Sequence, residues 1–388
     1  MASAFDKDSF QDLLNMVDKF ITKRLLPLER QVEENDEVPQ TVIAEMREMG
    51  LFGLSIPQQY GGFEIDLLQE MQIQMAFSET SPAFRLVFWP NVGIGSRGIV
   101  LFGTEEQKQF YLPRMATGEL PAAFCLTEPG SGSDAASITT SARRDGDHFV
   151  INGTKRFITN ASRAGIFTVM ARTDPNEKGP KGITAFIVER DTPGLIIGKS
   201  EKKMGQRGSP ICDVTFDNLR VPAANIIGGP SNEGKGFRIA MSVLDAGRVS
   251  VAASAVGMAK RLIDEAARYA TQRVQFGEPI ANFQLIQAML ADSETDYLAS
   301  HALTMHAAQV LEKGEDARTL AAAAKYFSSE ALGRIADRAV QIHGGSGYVA
   351  DYPVERLYRD ARGVRIYEGT SQILQLVIAR TMLKRYEQ

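Results

Sequence analysis

Cysteine is almost missing from this chain: 388 residues carry two, Cys125 and Cys212. Two thiols cannot build a disulfide framework over that length, which points to a reducing compartment. Histidine is nearly as scarce. The four are His148, His301, His306 and His343. His301 and His306 stand five apart, not the four that would turn two imidazoles toward one metal, so no metal site is expected. No stretch approaches 18 uninterrupted apolar residues, so no membrane span is expected. The opening MASAFDKDSFQDLL has no continuous apolar segment, so no secretory signal is expected either. Excess positive charge is absent too. The 43 Lys and Arg face 47 Asp and Glu, and a net charge of −4 argues against a general nucleic-acid binder. No G-x-S-x-G nucleophile elbow, Walker lysine motif or DNA-reading motif occurs. The expected location is the cytoplasm, or the mitochondrial matrix after loss of a presequence.

What is present is enough apolar material for two or three domains at roughly 100–200 residues each, and its texture changes twice. The first 120 residues have helical periodicity. Phe10, Leu13, Leu14, Val17 and Phe20, then Ile21, Leu25 and Leu26, recur at spacings of three and four, a run that Pro27 is expected to end. Further helices are predicted over Val42–Met49, Leu67–Ser78, Gly93–Phe102 and Glu105–Met115, with PQQYGG (57–62) as a loop. Residues 121–232 are β-branched and punctuated by turns. Asp145-Gly146 predicts a turn, and Asn152-Gly153 inside HFVINGTKRFIT predicts a second hairpin. GITAFIVER and PICDVTFDNLRVP alternate as strands do. Over 233–388 the helical period returns, in runs near 236–272, 283–312, 316–342 and 371–386 that suggest a bundle. The expected class is a mainly helical α+β protein of three parts.

Several segments are candidates for chemistry. TEPGSGSDAA (127–136) fits G-x-G-x-x-A, but a strand and turn follow where a dinucleotide fold needs a helix. It is then a glycine-rich loop beside a ligand, or a surface turn. QIHGGSGY (341–348) permits close backbone approach or merely turns the chain. In LDAGRVSVAASAVGMAKRLIDEA (244–266), Gly247 and Gly257 each cost a helix about 1 kcal/mol against alanine, which close packing or a ligand can offset. Asp245 and Arg248 share a helix face, as a surface ion pair or a substrate-facing one. In RIYEGTSQILQ (365–375), Glu368 is a helix cap, a surface charge or a base.

In this order, FCLTEPGSGSDAA (124–136), FITNAS (157–162), LDAGR (244–248), RVQFG (273–277), QIHGGSGY (341–348) and IYEGTSQI (366–373) resemble the acyl-CoA dehydrogenase family over essentially the whole chain. The chain looks most like the short- and medium-chain, bacterial-type branch. The resemblance implies a helical N-terminal domain (1–120), a β-barrel-like middle domain (121–232) and a C-terminal four-helix bundle (233–388). It implies FAD, a homotetramer built as a dimer of dimers, and electron-transfer flavoprotein as acceptor. The implied reaction converts an acyl-CoA thioester to the trans-2-enoyl-CoA. Glu368 would take the pro-R α-proton and flavin N5 the β-hydride. The Glu368 N–H and the FAD ribityl hydroxyl would steady the thioester oxygen as it gains charge.

By motif position, Leu126, Thr127 and Ser133 would contact the flavin, Ser133 also lying near CoA. Phe157 and Thr159 would cover the isoalloxazine, Phe157 standing where the family often has Trp. Arg273, Phe276, Gln284, Gln341, Gly344 and Gly345 would reach FAD from a neighbouring subunit. Thr370 and Gln372 would sit by the cofactor, and Asp245, Arg248 and Gly369 by the substrate. Arg85 stands where straight-chain members usually have a small residue, resembling the arginine that binds the distal carboxylate in glutaryl-CoA dehydrogenases. It is expected to mark a dicarboxylyl or polar acyl group, with Arg97 as a second candidate. The alternative is a surface arginine or an ion pair with Glu79. The YEGT glutamate disfavours the isovaleryl branch, whose base lies on a helix, and the nitroalkane oxidases, which use aspartate. An oxygen-using oxidase and a non-enzymatic flavoprotein remain as other classes.

Overall fold

The structure is a computed structural model that describes residues 5–387. Helix α1 (Lys7–Phe20) starts at Asp6, whose carboxylate accepts from the N–H groups of Asp8 and Ser9. Pro27 does not end the run. The backbone passes through a π turn, Ile21–Leu25, and a 3₁₀ turn, Leu26–Leu28, into α2 (Glu29–Asn35). Pro27 lies in the first turn of the new segment, a position that proline tolerates.

Helix α3 (Gln40–Glu48) stops before Gly50, which takes φ +72°. Helix α4 (Leu67–Ser78) has the predicted bounds and opens on a capping box of Asp66 and Gln69. Helix α5 (Pro82–Pro90) was not legible from periodicity. It has proline at both ends and is buried nearly all round, so it shows no amphipathic stripe. The helix predicted from Gly93 begins instead as a π turn, Asn91–Gly95, and becomes α6 only at Arg97–Phe102. Helix α7 (Glu105–Ala116) follows, capped by Thr104.

The middle of the chain forms one curled sheet of β1 (Ala122–Cys125), β2 (Ser141–Asp145), β3 (His148–Thr159), β4 (Ile166–Arg172), β5 (Ile183–Glu189), β6 (Leu195–Ser200) and β7 (Ile211–Pro222). The order is β1-β4-β2-β3-β7-β6, with β5 on β4, and β1 runs parallel to β4. Its core is Phe149, Ile151, Phe167, Phe186, Val214 and Phe216. Gly146 (φ +63°) makes the predicted turn between β2 and β3. Asn152-Gly153 makes none, and β3 runs through it. Gly153 (φ +148°) sits at a register shift, and a Cβ there would lie 2.5 Å from the Thr140 hydroxyl oxygen. Close approach to a neighbouring segment explains that glycine, not a hairpin.

The rest is a bundle of α8 (Gly236–Gln272), α9 (Gln284–Glu312), α10 (Arg318–His343) and α12 (Ser371–Leu383). A two-residue ladder, β8 (Val274–Gln275) with β9 (Glu278–Pro279), joins α8 to α9. A further helix, α11 (Pro353–Val364), was not foreseen. It buries Val354, Leu357, Ala361 and Val364. Among the described residues, α8 alone is long and apolar enough to cross a bilayer, but its apolar stretch is mostly buried within the protein. Gly257 explains part of this: a Cβ there would lie 2.1 Å from the Met75 carbonyl oxygen, so α8 touches α4 backbone to side. Gln74 Nε2 donates to the Ser250 carbonyl (3.1 Å) and Trp89 Nε1 to the Ser250 hydroxyl (2.5 Å), tying α4 and α5 to the same stretch of α8.

Candidate active site

Glu368 lies between α11 and α12 in the left-handed region, at φ +54°, with Gly369 at φ +103°. A non-glycine residue held there is costly and recurs at functional sites. Glu368 is not the cap. The Thr370 hydroxyl accepts from the Ile373 N–H (3.3 Å), and Ser371 donates instead to Glu330 Oε1 (2.6 Å). Relieved of that task, the Glu368 side chain turns inward onto Gly247 of α8. A Cβ at Gly247 would stand 2.2 Å from Glu368 Oε2. The residue as a whole is half-buried, yet Oε2 is sealed and has no hydrogen-bond partner. Among the described residues no acceptor pairs with its backbone N–H.

Burial pushes the Glu368 carboxyl up to about 7, against the pull of Arg248, Lys325 and Arg85. Three cations from three helices thus face one carboxylate. Arg85, on α5, is 4% exposed, so it is neither a surface arginine nor paired with Glu79, which instead accepts from Lys260 (3.3 Å). Arg85 faces Tyr367, its field reaches Glu368, and among the described residues its buried Nε has no partner. Arg97 is committed elsewhere, to buried Glu70 at 2.7 Å. Tyr367 is held on its other side by Gln206 Nε2 (3.4 Å).

The sheet meets this cluster through β3. Leu126, Thr127 and Phe157 come together because Lys155 Nζ donates to the Leu126 carbonyl (3.1 Å) and the Arg156 N–H to the Thr127 carbonyl (2.8 Å). Lys155 is wholly buried and bonded to Glu128 (2.8 Å). Burial alone would raise the Glu128 carboxyl, but Lys155 and hydrogen bonds from Thr139 and Thr140 outweigh it and hold it at about 2. That anchor carries the glycine-rich loop. Ser133 is exposed on it, and a Cβ on Gly130 or Gly132 would meet nothing, so the loop presents open backbone. Phe157 (φ +58°) is 53% exposed, with the Arg156 guanidinium 4.8 Å from its ring centre. Thr159 follows. Asn160 Nδ2 then donates to the Leu86 carbonyl (2.5 Å), joining the end of β3 to the helix that carries Arg85.

On α8 the expected pair is real: Arg248 Nη1 meets Asp245 Oδ1 at 2.7 Å. Burial raises the Asp245 carboxyl, opposed by Arg248 and Arg318. The pair is no surface bridge. It lines a groove of about 540 Å³ with Arg238, Ser242, Arg318 and Val377. Three arginines make the groove suited to phosphate. Gln372 is exposed on the first turn of α12.

The remaining expected residues lie elsewhere in the same chain. Arg273, Phe276 and Gln284 are exposed around the tip beyond α8, Phe276 at 96% with φ +54°. From Gly247 to Arg273 the helix runs about 39 Å at ~1.5 Å per residue. Gln341, Gly344 and Gly345 are at that same distal end, where Tyr269 stacks on His343 (4.2 Å) and its hydroxyl donates to the Ser346 hydroxyl (3.2 Å). The backbone at Gly344 and Gly345 is open, with nothing near an added Cβ. One chain therefore does not bring these six to Glu368. Sequence reasoning also missed three contributors: Lys325, Tyr367 and the role of Gly247. A lone lysine in the small-residue face RTLAAAAKYFSSEAL was the available signal for the first. Among the described residues no cluster that could hold a metal is found.

Family models described as acyl-CoA dehydrogenase N-terminal, middle and C-terminal domains match residues 7–119, 123–219 and 234–383. The chain is 44% identical over 368 residues to an acyl-CoA dehydrogenase of Bacillus subtilis (strain 168), covering 95% of this chain and 96% of that protein. It is similar to the solved butyryl-CoA dehydrogenase of Megasphaera elsdenii, with a TM-score of 0.93, 37% identity, and coverage of 97% of this chain and 99% of that one. It is also similar to an acyl-CoA dehydrogenase from Bacillus anthracis solved in complex with FAD, with a TM-score of 0.91, 37% identity, and coverage of 98% and 68%.

Proposed function

The chain belongs to the acyl-CoA dehydrogenase family, oxidoreductases acting on CH–CH donors, and we propose that it dehydrogenates an acyl-CoA thioester to the trans-2-enoyl-CoA with FAD and with Glu368 as base. One observation carries this reading: Glu368 is a strained, inward-facing carboxyl, raised to about 7, whose sealed Oε2 has no hydrogen-bond partner among the described residues. A structural carboxylate would be paired. A base needs a free lone pair and a pKa near working pH.

The residues present fit FAD. The open Gly130–Gly132 backbone, exposed Phe157 and Thr159 at the β3 end suit a planar aromatic ring system. Bound there, FAD supplies the acceptor for the β-hydrogen and its electron pair. Glu368 removes the α-proton onto its carboxylate. Its own N–H donates to the thioester oxygen, which gains negative charge as that proton leaves. Arg238, Arg248 and Arg318 receive the phosphates of CoA in their groove. Arg273, Phe276, Gln284, Gln341, Gly344 and Gly345 serve a neighbouring copy's cofactor in a homotetramer. What supports that reading is their exposure and their separation from Glu368 within one chain. Electron-transfer flavoprotein is the proposed acceptor.

The test is anaerobic titration of the purified flavoprotein with butyryl-, octanoyl- and glutaryl-CoA, following oxidised-flavin absorbance at about 450 nm. At least one is expected to bleach it. Bound FAD that none can reduce would favour the non-enzymatic class. Rapid oxygen uptake without an added acceptor would favour an oxidase.

Arg85 supports a finer reading, an acyl group with a polar or carboxylate end. Its buried, unpartnered Nε is a donor without an acceptor close to the base. Arg85→Ala is expected to lower kcat/KM for glutaryl-CoA by at least ~10-fold more than for butyryl-CoA, a charged hydrogen bond being worth ~1.5–3 kcal/mol. Equal losses on both substrates would remove the carboxylate from the account and leave Arg85 as support for Tyr367.

A further inference from the structure

Among the described residues, Lys155 and Lys325 are the two lysines with no solvent exposure at all. Lys155 has a carboxylate at 2.8 Å. Lys325 has none within ion-pair distance; its hydrogen bond goes to the Gly369 carbonyl oxygen, at 2.7 Å. A buried ammonium without a contacting anion is costly, and packing alone would favour an apolar side chain there. The field of Glu368, the next residue back, and that of Glu330 are its compensation, against Arg248 of the same sign.

Lys325 does not act on that loop alone. Five residues along α10, Glu330 takes the Ser371 hydroxyl (2.6 Å) and pairs with Arg365 (3.1 Å). Arg365 also donates to the Glu330 carbonyl (3.2 Å), and lies where a side chain on Gly333 would stand, 2.0 Å from an added Cβ. One helix thus grips residues 365, 369 and 371, on both sides of Glu368. The Gly369 carbonyl is the grip nearest the base.

We propose that Lys325 is a positioning residue for the base: it holds the Gly369 carbonyl so that the left-handed turn at Glu368 is fixed against α10, and it keeps a positive charge behind the carboxylate that takes the α-proton. Arg248 from α8 and Arg85 from α5 share the second task, but both can also meet substrate, whereas Lys325 is sealed from it. Burial lowers the Lys325 ammonium itself to about 8, so it is still mostly charged at neutral pH. Removing a cation beside a carboxylate raises that carboxyl's pKa. Without Lys325, Glu368 would therefore rise further above about 7 and be less ionised at neutral pH.

This inference rests on Glu368 being the base, and the two fail differently. Single-turnover flavin reduction by saturating acyl-CoA is measured from pH 5.5 to 9.5 (~4 units, spanning both groups) in FAD-loaded wild type, Lys325→Met and Lys325→Gln. The wild-type rate should rise through about pH 7; a flat wild-type profile sinks the base reading itself. In both variants the midpoint should move up by about one unit, with acyl-CoA affinity nearly unchanged. Gln keeps a donor for Gly369, so its plateau rate should exceed that of Met. An unshifted midpoint in whichever variant folds overturns the proposal. So does failure of both to assemble with FAD, which would make Lys325 a structural residue only.

Discussion

Glu368→Gln should lower the rate of flavin reduction by acyl-CoA roughly 10³-fold while leaving substrate affinity within a few-fold of wild type. The substitution keeps the size, the turn and the backbone N–H, and removes only the lone pair that accepts the α-proton. The wild-type rate should rise with pH, because the carboxylate and not the acid is the base, with a midpoint near the value of about 7 that burial imposes. The variant should show no such rise. There is a matching effect on stability. A carboxyl raised in the folded state loses stability as pH climbs from its ordinary value of 4.5 through about 7. Glu368→Gln should therefore gain thermal stability over wild type at pH 8 and little at pH 4, which stepwise thermal melts in two buffers would show. A fall in rate accompanied by a fall in stability at pH 8 would mean that Glu368 is structural.

Gly247→Ala should be nearly as damaging, and for an unusual reason. Inside a helix, alanine is favoured over glycine by about 1 kcal/mol, so local propensity predicts gain. The new methyl would stand 2.2 Å from Glu368 Oε2 and 3.1 Å from its carboxyl carbon. No real side chain tolerates that, and Glu368 is the group free to move. Displacing a base by about 1 Å can cost ~10²-fold in rate. The expected result is a kcat down at least ~10²-fold, with a melting temperature within a few degrees of wild type. Gly257→Ala, on the same helix, is the contrast. Its methyl would meet the Met75 carbonyl, which belongs to the backbone of α4, so stability should fall instead. Normal turnover in Gly247→Ala would show that Glu368 does not work from the position described.

Most of this fold was legible where periodicity and turn chemistry act alone. Helix α4 and the run from Gly236 to Gln272 have their predicted bounds because an apolar period and clear end signals coincide. The failures differ in cause. Pro27 and Asn152-Gly153 carry local signals that the surrounding structure overrides, the α5 segment carries none, and α11 was not foreseen although Val354, Leu357, Ala361 and Val364 recur at helical spacing. A proline begins a new turn instead of ending a helix, a glycine accommodates Thr140 instead of turning a hairpin, and a helix buried on all sides has no stripe to read. The site divides the same way. Glu368, Asp245 and Arg248 announced themselves by motif, and Arg85 by being out of place. That Gly247 makes room for Glu368, and that Lys325 holds the next carbonyl, are facts of contact between elements far apart in sequence. No pattern within either helix could supply them.

The central claim is that Glu368 removes the α-proton, and hydrogen exchange at the substrate α-carbon tests it without relying on turnover. The flavoprotein is incubated anaerobically in D₂O with an acyl-CoA, and deuterium at Cα is followed by mass spectrometry. Wild type should introduce deuterium at Cα and Glu368→Gln should not, at equal ligand occupancy. Undiminished exchange in Glu368→Gln would contradict the account and assign the proton to another group.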